Sequence, residues 1–294
     1  MTWLITGASG LLGSQICYHL SMNNINAIGV VNHHSMPFKG ITTIQCDITD
    51  DAEILQLLEN AQPKKIIHCA ALTNVDECER NIDLATKLHV TAPDIMARWA
   101  SINACKMVYI STDHLWDGSK KHVQEHEQPQ PLNAYAMTKY LGEKQVLSSN
   151  PNTLVARTNF YGKGLEWRTS FSDWILSALQ GAETVYGYTD VFFSPLHRTH
   201  LINILMDLVA HDGKGIYHVA SAERISKYNF IKKVAIKFGL PDVRLEGIKS
   251  SNIQSQTLRP KDMSLSSEKT SKLLDQKMPS IDEGIDSLYA EMNG

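Results

Sequence analysis

The sequence predicts an α/β fold built on a doubly wound parallel sheet. Three observations point there. Short apolar runs of strand type alternate with helical stripes through the first 160 residues; a glycine-rich turn joins the first such strand to the first helix; and residues able to do chemistry recur where strands end. Strand–helix alternation is the pattern of right-handed crossovers, which bring successive strands into parallel pairing.

The glycine turn is residues 6–13, T-G-A-S-G-L-L-G, between the apolar run 3–5 and a stripe of Ile16, Cys17 and Leu20. Gly7 permits the tight turn, Gly10 lets a pyrophosphate approach the backbone, and Gly13 lets the helix pack close to the strand. The helix start then presents free N–H groups and a positive dipole end to phosphate. A glycine turn with no ligand is the competing reading; the position between a first strand and a first helix favours a dinucleotide site.

The elements follow in order. Residues 27–31 form a second strand, at whose end an acidic residue would bind the ribose 2′-OH of NAD. This chain has Asn32, His33 and His34 there, with Lys39 soon after. Missing acid and nearby cations favour the 2′-phosphate of NADP; a polar loop that tolerates either cofactor stays open. Residues 41–45 are a third strand, 51–62 a helix with Ile54, Leu57 and Leu58 inward, and 66–68 a fourth strand running into Cys69, Ala70, Ala71, Leu72 and Thr73, small enough for backbone to lie against a cofactor. Residues 83–101 read as one long helix on the spacing of Leu84, Leu88, Ala92, Ile95, Met96 and Trp99, with Pro93 expected to kink or divide it. Residues 106–110 are a fifth strand ending at Ser111-Thr112-Asp113, 134–148 a helix, and 154–157 a sixth strand.

Beyond Asn159 the rhythm loosens. Helices are expected on Trp167, Phe171, Trp174, Ile175 and Leu179, at 201–209, at 227–238 and near the C-terminus, with a strand at 216–219 and a long polar loop at 250–264. The expectation is a Rossmann-type domain over residues 1–160 and, over 161–294, a smaller C-terminal substrate-binding lobe into which segments of the first domain return.

Composition narrows the function classes. With 294 residues, 43% of them hydrophobic, the chain can bury a large core. A net charge of −3 with no basic cluster gives no nucleic-acid surface. Five scattered cysteines without a Cys-x-x-Cys pair point to reduced thiols and a cytoplasmic protein. A strand starting at residue 3 leaves no room for a signal peptide, and no run approaches the roughly 20 apolar residues of a membrane span. His122 with His126, and His197 with His200, lack a third ligand nearby, so no metal is expected.

Tyr135 and Lys139 stand four apart on one predicted helix and so share a face. A nearby ammonium favours the ionised phenol, making the pair a plausible acid/base near neutral pH. Thr112 sits at a strand's carboxyl end, where open α/β sheets bind ligands, and its hydroxyl could hold a substrate oxygen. Any single Tyr-x-x-x-Lys is more often a solvated helix face; the glycine turn and Ser-Thr-Asp beside it argue for a site.

These residues carry a resemblance. The chain resembles the extended short-chain dehydrogenase/reductases and, among them, the dTDP-4-dehydrorhamnose reductase family. The likeness runs through the glycine turn, residues 69–76 (C-A-A-L-T-N-V-D), 111–118 (S-T-D-H-L-W-D-G), 135–139 (Y-A-M-T-K), Arg157-Thr158 with Gly162, Ser194-Pro195, 215–218 (G-I-Y-H) and Arg259-Pro260. The resemblance implies NAD(P)H-dependent reduction of the C4 ketone of a nucleoside-diphosphate deoxysugar, in deoxysugar or polysaccharide biosynthesis. Tyr135 would protonate the oxygen, Lys139 would tune Tyr135 and hold the nicotinamide ribose, and Thr112 would bond the ketone oxygen. The implied cofactor set is Gly7, Ser9, Gly10, Leu11, Leu12, Gly13, Asn32, His33, Asp47, Ile48, Cys69, Ala70, Ala71, Thr73, Tyr135 and Lys139, for NADP(H) in preference with NAD(H) open. The implied substrate set is Val75, Asp76, Thr112, Asp113, His114, Phe160 and Arg198. A homodimer is compatible with the resemblance, though the acidic C-terminal cluster that binds magnesium in some relatives is absent from residues 287–294.

Three departures bear on function. His89 stands where relatives carry an Asn thought to hold a water in the proton path, so it either replaces that group or packs in the core. His114 replaces a Tyr and Phe160 a Trp at the sugar pocket, so the sugar can differ from 4-dehydrorhamnose. Three alternatives remain. A dehydratase would carry Glu at His114. An epimerase shares the Tyr–Lys pair but keeps NAD, which the non-acidic end of strand two disfavours. A non-catalytic NADP-binding regulatory subunit, resembling that of methionine adenosyltransferase, shares the fold.

Overall fold

The computed structural model describes residues 2–36, 40–181, 183–240, 244–252 and 257–294. Lys39 lies outside the described residues. Six parallel strands precede residue 159: β1 (Trp3–Thr6), β2 (Ala27–Val31), β3 (Thr42–Gln45), β4 (Lys65–His68), β5 (Lys106–Thr112) and β6 (Leu154–Thr158). After the short β7 (Phe160–Tyr161), β8 (Val185–Tyr188), β9 (Phe192–Phe193) and β10 (Leu196–His197), the chain returns with β11 (Gly215–Val219), which pairs parallel to β6. The sheet order is β11-β6-β5-β4-β1-β2-β3. The order therefore reverses between β1 and β4, and ligands of open α/β sheets bind at that switch point. The glycine turn leaves β1 there.

Apolar residues on both faces of the strands bury two layers. On one face α1 (Leu11–Met22), through Leu12, Ile16 and Leu20, and later α8 (Arg198–Ala210), through Leu201, Leu205 and Leu208, cover Ile5, Ile67 and Val108. On the other, α2 (Asp51–Ala61) and α5 (Ala92–Ile102) cover Leu4, Ile66 and Met107. Asp50 starts α2 by accepting from the Ala52 and Glu53 amides, which satisfies donors a helix start leaves orphaned. Between β4 and α5 lie α3 (Val75–Arg80), α4 (Ile82–Thr86) and a π-helical turn, Lys87–Thr91.

The π turn is how Pro93 is accommodated in the predicted long helix. Proline has no N–H for the carbonyl four residues earlier, here that of His89. That carbonyl instead accepts the Tyr109 hydroxyl at 2.9 Å. The helix widens without breaking, and the widened turn faces α6 (Ala134–Ser149).

The lobe has its own core. α7 (Phe171–Gln180), α9 (Lys227–Lys237) and α11 (Ile281–Asn293) pack Ile175, Leu179, Phe230, Val234, Ile285 and Leu288 around Phe193 and Tyr161. β12 (Ile225–Ser226) pairs with β9, and β13 (Leu245–Ile248) pairs parallel with β8. α10 (Glu268–Leu274) packs beside β11 and α8. Asn133 ties lobe and sheet together: its carbonyl oxygen caps α6 at Ala136, and its amide donates to the Leu258 carbonyl at 2.9 Å. Among the described residues no helix is long and apolar enough to cross a membrane.

α6 reaches the sheet because Gly142 lets it. A Cβ there would collide with the His89 carbonyl and the Tyr109 hydroxyl. Gly142→Ala is expected to lower stability by about 1–3 kcal/mol, the usual cost of overpacking. Gly181→Ala, at φ −69° with no contact below 3.3 Å, should stay within about 0.5 kcal/mol. Urea unfolding of both variants checks the contrast.

Candidate active site

Tyr135 and Lys139 fall on the first turns of α6, facing the carboxyl end of β5. Lys139 is 2% exposed. Its Nζ donates to the Ile110 carbonyl at 2.7 Å and lies 4.1 Å from the centre of the Tyr109 ring. Burial pushes its ammonium down to about 7, and Glu143, one turn along the same helix, opposes that. Glu143 is itself enclosed: Arg157 Nη2 and Nε reach its carboxylate at 2.7 and 3.0 Å, and Ser111 Oγ donates to it at 2.5 Å. Burial also pushes the Tyr135 phenol up to about 12, and the Thr112 hydroxyl, bonded to it, acts the other way. A phenol with its pKa that high stays protonated at neutral pH.

Tyr135, Lys139, Thr112, Asp113, His114 and Phe160 share the wall of a cavity of about 450 Å³ with Gly7, Gly10, Leu11, Leu12, Gly13, Cys69, Ala71, Thr73 and Val75. A second cavity of about 450 Å³ continues it toward β2, lined by Ser9, Asn32, His34, Cys46, Ile48 and Ala70. The residues fit a dinucleotide. Gly7 takes φ +63°, no side chain caps the start of α1, and a Cβ on Gly13 would strike the Gly7 carbonyl. Turn and helix are thus closed on each other while the first helical amides are left for an anion.

The lobe adds a cation that sequence reasoning missed. Arg168 lines both cavities and donates from Nη2 to Thr73 Oγ1 at 2.6 Å. Beside it Trp167 stacks on His34, ring centres 5.3 Å apart, so this loop spans from the lobe to the end of β2. A loop arginine with no motif around it leaves no signal in sequence.

Four expected residues stand elsewhere. His33 is exposed and off the cavity walls. Asp47 turns into its own loop, accepting from the amide and hydroxyl of Thr49, which holds its carboxyl below the usual range. Asp76 is bound to Arg259 at 2.8 Å, joining α3 to the lobe. Arg198 is buried and turned away: it donates to Glu291 and to the Lys163 carbonyl. Nothing local foretells the Glu291 partner, 93 residues later.

A third cavity, about 490 Å³, opens from His114 into the lobe between Phe171, Trp174, Tyr186, Tyr188 and Val191, with Lys227, Arg259 and Lys261 on its walls. Lys227 Nζ lies 3.3 Å from the Phe193 ring centre and is drawn electrostatically to Asp113. Aromatic faces beside cations suit a base and a diphosphate. Among the described residues no group of three or more His, Cys, Asp and Glu is gathered to hold a metal.

His89 is fully used by the protein. The Leu72 amide donates to its Nε2 at 3.1 Å, so in the neutral ring the proton is on Nδ1, which donates to Thr138 Oγ1 at 2.8 Å. Thr138 donates onward to the Ala134 carbonyl. No ring nitrogen remains to relay a proton; His89 pins the loop after β4 to the helix of Tyr135. His68 does similar work, taking the Thr6 hydroxyl on Nδ1 and giving its Nε2 proton to the Leu88 carbonyl.

Comparison with known proteins agrees with this geometry. Residues 1–293 match the family model described as RmlD substrate binding domain. A probable low-salt glycan biosynthesis reductase of Haloferax volcanii is 28% identical over 97% of this chain and 96% of its own. Methionine adenosyltransferase 2 subunit beta of Rattus norvegicus is 29% identical, covering 94% of this chain and 84% of its own. The crystal structure of dTDP-4-dehydrorhamnose reductase from Bacillus anthracis in complex with NADP superposes with a TM-score of 0.87 at 26% identity, covering 99% of each chain.

Burial pushes His89 down to about 2 and His68 and His218 to about 3. Each then stays neutral when folded but binds a proton when unfolded, below its ordinary value of about 6.5. Their contribution is complete above about pH 6.5 and is lost progressively as pH falls toward 3. His89→Leu should reduce the acid slope of stability by about one proton. It should also cost about 1–3 kcal/mol at pH 7, from the buried Leu72 amide left unpaired. Urea titrations from pH 7 to 4 measure both.

Proposed function

The chain belongs to the RmlD substrate binding domain family, and we propose that it is an NAD(P)H-dependent short-chain reductase of the Tyr-x-x-x-Lys type, acting on the C4 ketone of a nucleoside-diphosphate 4-keto-6-deoxysugar. The observation that carries this is the meeting of Thr112, Tyr135 and Lys139 on one cavity wall with the glycine turn. The aromatic, cation-edged cavity that opens beyond His114 supports a nucleotide-linked substrate.

The residues divide the work as follows. Gly7, Gly10, the amides at the start of α1 and Arg168 would hold the cofactor's phosphates, and Asn32, His34 and Ile48 its adenosine end. NADP(H), when bound, supplies the hydride. Thr112 Oγ1 and Tyr135 Oη hold the ketone oxygen, and Tyr135 gives it the proton as charge develops there. Lys139, an ammonium inside the protein, lowers the cost of the tyrosinate left behind. His89 and Asn133 hold the helix that carries the pair.

NADP(H) is the preferred cofactor because, among the described residues, Asn32 and His34 rather than a carboxylate line the cavity at the end of β2. The NADP complex of the Bacillus anthracis relative supports the same choice. A binding-only regulatory role is the second reading, favoured by the similarity to methionine adenosyltransferase 2 subunit beta.

A panel of nucleoside-diphosphate 4-keto-6-deoxysugars should include at least one that drives NADPH oxidation. Tyr135→Phe should then cut turnover about a hundredfold or more, the scale of general acid catalysis, with cofactor affinity little changed. Tight NADPH binding with no turnover on any ketone would favour the binding-only role. NADPH should bind at least about tenfold tighter than NADH, as a charge-assisted contact to the 2′-phosphate implies; equal affinities in calorimetric titrations would count against it.

A further inference from the structure

His114 is built differently from a residue that only lines a pocket. Its Nδ1 lies 2.8 Å from Asp113 Oδ1. Asp113 is 2% exposed, and its other oxygen accepts from Asn159 Nδ2 at 2.8 Å. A carboxylate beside Nδ1 makes that nitrogen the donor, so in the neutral ring the lone pair is on Nε2. Among the described residues Nε2 has no hydrogen-bond partner, and the side chain retains 20% exposure at the junction of the catalytic and aromatic cavities. The ring stands edge-on to Tyr135, centres 5.8 Å apart. A carboxylate-oriented imidazole with a free lone pair, next to the group that holds a ketone oxygen, is the arrangement of a general base.

Resting on the reductase reading, we propose that His114, oriented by Asp113, removes a proton from a carbon next to the substrate's ketone, so that this site exchanges the hydrogen at that centre as well as reducing the carbonyl. A carbonyl acidifies the hydrogens on its neighbouring carbons. In the step, the C–H bond breaks and its proton goes to His114 Nε2. The C–H electron pair forms the C=C bond, and the carbonyl π pair moves to the oxygen, where the Thr112 and Tyr135 hydroxyls donate to the enolate. Asp113 offsets the positive charge gained by the ring. Return of a proton, from His114 or from solvent that has exchanged with it, restores the ketone. No oxidant, reductant or cofactor is consumed. A histidine that only bonded a sugar hydroxyl would leave the carbon-bound hydrogens untouched.

The test uses the full chain with dTDP-4-dehydro-6-deoxyglucose in D₂O, without cofactor. Deuterium at C3 and C5 of the recovered ketone is read by NMR against a no-enzyme control. NADPH-driven reduction of the same ketone is measured in parallel. We expect enzyme-dependent deuterium at one of the two carbons, about a hundredfold or more above the control. His114→Gln and Asp113→Asn should each lose exchange at least about tenfold more than they lose reduction. Reduction without exchange above the control overturns the proposal and leaves the reductase reading intact. Exchange that falls only in step with reduction in both variants overturns it too. Neither reaction on this ketone or on the wider 4-keto panel overturns the reductase reading and this proposal together.

Discussion

The site depends on an ammonium held inside the protein. Taking Lys139 out of water costs several kcal/mol, and the fold meets that cost with parts from three elements. β5 supplies the Ile110 carbonyl and the Tyr109 ring, α6 supplies Glu143, and β6 supplies Arg157, which occupies the Glu143 carboxylate. Glu143 is thereby close enough to favour the charged lysine without binding it. Lys139 lines the cavity with no carboxylate bonded to it among the described residues. The Tyr135 phenol, raised by its own burial, lines the same cavity as Lys139. In the proposed mechanism, proton donor and neighbouring charge thus rest on one buried network anchored in the sheet.

The same logic explains the irregular helix before β5. Pro93 denies the His89 carbonyl its helical partner, and Tyr109 takes it. Widening at residues 87–91 brings His89 against Thr138 on α6 and against the Leu72 amide. A π turn often marks a functional position, and here it fixes the distance between the loop after β4 and the Tyr135–Lys139 helix. Gly142 permits that approach.

Much of this was legible in the sequence where local rules decide. The glycine turn, the alternation of strand and helix, and the four-residue spacing of Tyr135 and Lys139 each express local geometry, and crossover handedness makes the sheet parallel; its strand order was not legible. Residues whose roles are set by distant partners were not legible. Arg198 has the type of a substrate ligand, yet Glu291 takes it from the far end of the chain. Arg168 and Lys227 enter the cavities from a loop and a helix start with no motif around them. β8 and β13 each place a glycine, Gly187 and Gly247, against Tyr228, and pair across about sixty residues, so neither shows the alternation by which a strand is recognised. His89 was visible as a departure, but its two partners, which decide between relay and pin, were not.

The central claim is that this cavity brings a hydride donor to the carbon whose oxygen Tyr135 and Thr112 hold. The most direct measurement is to supply NADPH deuterated at the transferring C4 position of the nicotinamide and locate the label by NMR in the sugar nucleotide formed. The account predicts a single deuterium on C4 of the sugar, in one configuration. Label at any other carbon, or an unlabelled product from oxidised cofactor, would contradict it.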